Sequence, residues 1–160
     1  DKYKAYEVKI LYVQEVLQNF QKSLDIAIDV RRQLGMQAPK NKPHSTLKIV
    51  YEFLKTNRAL GKMTAEDLLA SLPDLSDERV IMGIRVLNLM GNASFSVSVI
   101  VIATASVGYM YIFPHLLAAL IQVQPTLFPI ISCLSTRETL KYGLCTPTSS
   151  SLAGFAILLW

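Results

Sequence analysis

The chain has 160 residues, 51% of them hydrophobic, and a net charge of +4 that is unevenly distributed: 14 of 16 Lys and Arg and 11 of 12 acidic residues precede Val86. From Val86 to Thr136 there is no Asp, Glu, Lys or Arg. This segregation argues against one core shared by the whole length, and interspersed cations and acids such as Lys9, Glu15, Asp25 and Arg31 give no continuous basic face for nucleic acid, only a mild attraction to anionic lipid.

Charged residues at Lys2, Lys4, Glu7, Lys9 and Glu15 interrupt any apolar core of a secretory signal over residues 1–20. The apolar positions Tyr3, Tyr6, Ile10, Val13, Leu17, Phe20, Leu24 and Ala27 alternate in steps of three and four, a heptad seam. The spacing predicts one long amphipathic helix over 2–34, closed by Gly35 with Arg31 and Arg32 in its last turn. Val8, Leu11 and Val16 widen the stripe, which favours burial in a helical bundle over a two-stranded coiled coil. Tyr3, Tyr6, Ile10, Val13, Leu17 and Phe20 are the candidate protein-binding seam.

Residues 36–44, with two prolines and two lysines, make a loop. Ser45 is a good cap for a helix to Leu60 whose apolar face is Leu47, Val50, Phe53 and Leu54, and His44 before it reads as a capping or surface residue. Thr64-Ala65-Glu66-Asp67 approximates a capping box, opening a short helix that Pro73 cuts off. Ser76 then caps a further helix with Asp77 and Glu78 in its first turn. Residues 45–90 thus form a trihelical unit in the order of a helix-turn-helix, with Arg79, Met82 and Arg85 as candidate partner contacts. Asp77 and Glu78 stand where a DNA reader would meet phosphate, so a protein partner fits better than a duplex.

The remainder, 91–160, is a hydrophobic region. Phe95 to Phe113 and Leu116 to Leu134 are two uncharged runs of nineteen residues around Pro114-His115. Each matches a bilayer crossing, which predicts a helical membrane hairpin over 93–134 with Tyr109, Tyr111 and Phe113 at its far interface. Arg137 and Lys141 return to the side of the basic first half. A competing signal is the alternation of Phe95, Val97, Val99 and Val101 with Ser96 and Ser98, as in the wing strand of a winged helix. An apolar tail follows Lys141, too short after Leu152 to span a bilayer.

No Gly-rich phosphate loop, paired-histidine ligand spacing or nucleophile motif is present, and Cys133 and Cys145 read as small buried hydrophobes. No enzymatic activity, cofactor, metal or small-molecule substrate is expected. The expected fold class is mainly α: an N-terminal helical bundle over 1–90 with a helix-turn-helix-like trihelical unit, followed by a hydrophobic helical hairpin. The expected function is a non-enzymatic membrane-anchored adaptor or complex subunit. Its helical domain would lie on the cytosolic or matrix side and bind a protein partner, while the hairpin sits in the lipid bilayer. Two alternatives stand beside it. One is a soluble winged-helix protein binding nucleic acid or protein; the other is a fragment of a larger helical scaffold with a variant C-terminal end over 91–160.

Overall fold

A computed structural model of the chain describes residues 2–40, 44–107 and 126–157. The chain is mainly α, and its described residues contain no strand. The expected hairpin turn at Pro114-His115, the aromatic group Tyr109, Tyr111 and Phe113, and Trp160 lie outside the described residues.

The heptad seam does not make one helix. Helix α1 covers Lys2–Leu11 and runs into a π turn over Tyr12–Val16, after which Gln18 takes φ +51°. Asn19 then caps α2, Phe20–Gln33, its side-chain oxygen accepting the Lys22 amide at 3.0 Å. The two helices fold back on each other. The Tyr6 hydroxyl donates to Gln33 Oε1 at 2.8 Å at one end, and the Ser23 hydroxyl to the Ile10 carbonyl at 3.4 Å at the other. The 3-4 spacing survives the break because both helices point the same apolar seam, Ile10, Val13, Leu24 and Ala27, into one core.

Helix α3, Thr46–Leu60, is capped by the Ser45 hydroxyl, which accepts the Lys48 amide. A capping box between Thr64 and Asp67 opens α4, Ala65–Ser71. Helix α5 runs Glu78–Val107, about 45 Å at 1.5 Å per residue, and Asp77 rather than Ser76 receives its first amides, from Arg79 at 2.9 Å and Val80 at 3.4 Å. It continues through Gly91-Asn92, so residues 95–101, where alternation pointed to a wing strand, are helical instead. A helix already formed adds one hydrogen bond per residue fixed, and this outweighs the strand preference of the β-branched run.

Helix α6, Leu127–Tyr142, is the centre of the molecule. It is buried along nearly its whole length, with α5, α3 and α7 (Thr148–Ile157) around it, while α1 and α2 cover the other side of α5. The core brings Ile10, Leu24 and Leu34 together with Met82, Leu87, Leu127 and Ile131. Leu127, Ile131 and Leu134 of the hydrophobic region therefore share a core with residues of the charged first half. The segment expected to end a membrane crossing at Leu134 is the start of a helix that runs on past Arg137 and Glu138. Among the described residues no helix is long and apolar enough to cross a membrane.

Two close approaches lock the packing. Gly83 on α5 admits the Met36 side chain to where a Cβ would stand. Gly143, at φ +111°, ends α6 against the Pro73 carbonyl. There the Leu144 amide donates to Pro73 O at 2.8 Å and the Leu75 amide to Leu144 O at 2.7 Å, clasping the turn before α5 to the turn after α6.

Candidate functional site

The strongest charges inside the molecule are structural in position. Arg31 on α2 is fully buried and its guanidinium donates to Glu138 Oε1 on α6 at 2.5 Å, to the Gly83 carbonyl at 2.5 Å and to the Gln37 carbonyl at 2.6 and 2.9 Å. Burial pushes the Arg31 guanidinium below its ordinary range, and the Glu138 charge beside it pulls back. The same burial pushes the Glu138 carboxyl up, with Arg31 opposing. Each ion is tolerated there because the other is present.

A second linkage joins α3 to α6. Glu52 meets Arg137 at 2.6 Å, and Arg137 also donates to the Thr56 hydroxyl at 3.0 Å. Thr56 in turn donates to the Glu52 carbonyl at 2.9 Å and to the Cys133 carbonyl at 3.4 Å. Burial raises the pKa of the Cys133 thiol, so this cysteine is held in its unreactive form.

These links decide which way α3 faces. With Glu52, Phe53 and Thr56 turned toward α6 and α7, the residues on the other side have no cover among the described residues. Leu47 is 83% exposed, Tyr51 61%, Leu54 58% and Val50 47%. Spaced i, i+3, i+4 and i+7, they form one apolar stripe on a helix held rigidly from behind. Leu47, Val50 and Leu54, read from the sequence as one apolar face with Phe53, are turned outward, and Phe53 alone of that face stacks on a neighbour, Phe155 of α7, at 5.5 Å between ring centroids.

The residues singled out from sequence are distributed differently. Ile10, Val13 and Met82 are buried, their apolar surface taken up by α2 and α5. Tyr3, Tyr6 and Phe20 are half-buried against that core, while Leu17 and Arg79 are exposed. Tyr3, Met82 and Arg85 do come together, lining with Glu7 a cleft of about 250 Å³ between α1 and α5. There Arg85 pairs with Glu7 at 2.9 Å, so its charge is already met. His44, expected at the surface, is buried, and its amide donates to the Thr126 hydroxyl at 3.2 Å.

His115 lies outside the described residues, among which no group of His, Cys, Asp and Glu could hold a metal ion. The outward direction of the α3 stripe escaped the sequence reading because periodicity reveals an apolar face without saying what covers it. The one available signal was Glu52, an acid beside that face whose partner Arg137 lies far along the chain. Comparison with protein-family models, curated proteins and solved structures finds no match to this chain.

Proposed function

We propose that this protein is a non-enzymatic adaptor or complex subunit, and that the outward face of α3 is where it binds a protein partner. The observation that carries the reading is the exposed stripe of Leu47, Val50, Tyr51 and Leu54. Single apolar side chains at a surface are ordinary, but four on adjoining turns of one helix make a contiguous patch of the kind that marks interaction sites. Tyr51 at its middle is a side chain favoured in binding hot spots, since its ring offers large contact area at little entropic loss.

The pairing of Glu52 with Arg137 supports the assignment, because it fixes the helix before any partner arrives and leaves little ordering to be done on binding. A duplex nucleic acid suits this face less well, since phosphate recognition draws on clustered cations rather than an apolar centre. A bilayer anchor is left out of the proposal: of the run from Leu116 to Leu134, the part from Leu127 on belongs to α6, which is enclosed by α3, α5 and α7.

The test places a photo-crosslinking amino acid at Tyr51 of the full chain and, as control, at exposed Glu66 on α4. Discrete protein adducts formed from position 51, absent from position 66 and lost with Leu47→Ser/Leu54→Ser, are expected. Lipid adducts alone, or equal labelling from both positions, would refute the reading.

A further inference from the structure

We infer that the α3 face takes an amphipathic helix with acidic side chains along one edge; this rests on the protein-binding reading above and adds the chemistry of the partner. Lys48, Lys55 and Arg58 are all exposed on the outward side of α3, and no carboxylate among the described residues pairs with them. Lys55 stands one turn beyond Tyr51 and one heptad beyond Lys48, so these two cations run along one margin of the stripe, and Arg58, one turn beyond Leu54, closes its C-terminal end. The single acid on the helix, Glu52, is turned inward to Arg137 and offsets none of them. The opposite margin carries the uncharged Thr46 and Asn57 and leads through Phe53 to Phe155 of α7.

This one-sided charge selects between two surfaces that an apolar, basic helix could meet. A helix lying in an anionic lipid interface presents cations at both margins of its apolar face, because headgroups surround it at equal depth. Here only one margin is cationic. The stripe from Leu47 to Leu54 is also about 10 Å long, close to the diameter of a single helix, which is the footprint of a partner helix seated across it. An apolar ridge on that partner covers Leu47, Val50, Tyr51 and Leu54, and Glu or Asp along the edge facing Lys55 and Arg58 meets the uncompensated charge.

The experiment selects binders to the full chain from a displayed library of helix-forming peptides of about 20 residues, randomised on one face. Phosphatidylcholine vesicles with and without phosphatidylserine are measured alongside. The expected result is enrichment of Leu or Ile ridges flanked on one side by Glu or Asp. Affinity of the synthesised peptide should fall about tenfold with Lys55→Glu/Arg58→Glu and less with Lys55→Gln/Arg58→Gln, and it should weaken with salt. Enriched peptides that lack acidic bias yet still lose binding with Leu47→Ser/Leu54→Ser overturn the inference and leave the adaptor reading standing. Binders indifferent to every α3 substitution, or vesicle binding that the Lys55 and Arg58 variants abolish while no peptide is enriched, overturn both.

Discussion

Arg31 on α2 and Glu138 on α6 meet at 2.5 Å across 107 positions of sequence, inside a core where the arginine has no exposure to solvent. Glu138 is the only acidic residue after Val86, and it is spent on the one arginine of the first half that is wholly buried. The uneven charge distribution of the chain is thus bridged at the centre of the fold.

Removing one partner of this pair strands the other. Arg31→Met or Glu138→Leu alone is expected to destabilise the protein by about 3–5 kcal/mol, since the remaining charge then lies buried without its partner. The double replacement Arg31→Met/Glu138→Leu should lie much closer to the wild type than either single change. Urea denaturation of the four proteins measures the coupling, and simple additivity of the two single effects would show that the pair does not act as one unit.

The two close-packed glycines should respond differently to alanine. At Gly83 the obstacle is the end of the flexible Met36 side chain, which can swing aside, so Gly83→Ala should cost about 1 kcal/mol or less. At Gly143 the obstacle is the Pro73 backbone and φ is +111°, so Gly143→Ala should cost about 2–3 kcal/mol. Thermal or urea unfolding of the two variants ranks them, and the reverse order would mean that Met36 is fixed and the 73–144 clasp is not.

Helix α4 should be acid-sensitive. The Thr64 amide and hydroxyl hydrogen-bond to the Asp67 carboxylate and hold its pKa below the ordinary 3.8. The unfolded chain then binds the proton more readily, so the contribution of the box is present above 3.8 and is lost as pH falls through the lowered native value. Lower protection of the Asp67 and Leu68 amides, measured against their intrinsic exchange rate at each pH, is expected on acidification, and Asp67→Asn should flatten that dependence. An unchanged pH profile in the variant would assign the fraying to another group.

Cys133 should react with a thiol reagent only after unfolding. Its thiol is buried beneath Thr56 and its pKa is raised by that burial, whereas Cys145 is partly exposed. In Cys145→Ser protein, labelling at mildly alkaline pH is expected to be slow and to track global unfolding as urea is added. Rapid labelling without urea would mean that α3 lifts from α6.

The local signals were the most legible in the sequence. Ser45 and the Thr64–Asp67 box start helices through bonds made within three residues of themselves, and such bonds are written in adjacent letters. The break at Gln18 was hidden because a seam shared by two antiparallel helices has the same spacing as one continuous helix, though Asn19 was an available cap. The place of α6 was hidden for another reason. A charge-free stretch reads alike whether lipid or the chain's own helices surround it, and the packing of its last residues, Leu127 to Thr136, rests on contacts made far along the chain, such as Glu138 with Arg31. The candidate surface was half legible: Leu47, Val50 and Leu54 were visible as one face, but its direction depends on Glu52 finding Arg137.

The clasp between Pro73 and Leu144 has a consequence for how this chain can change over time. Because the root of α5 and the far end of α6 are tied by their own backbones, the register of these helices is set at the base of the pair. Substitutions at Pro73, Leu75 or Leu144 that alter these bonds therefore act on both helices at once, so the two turns are constrained to vary together.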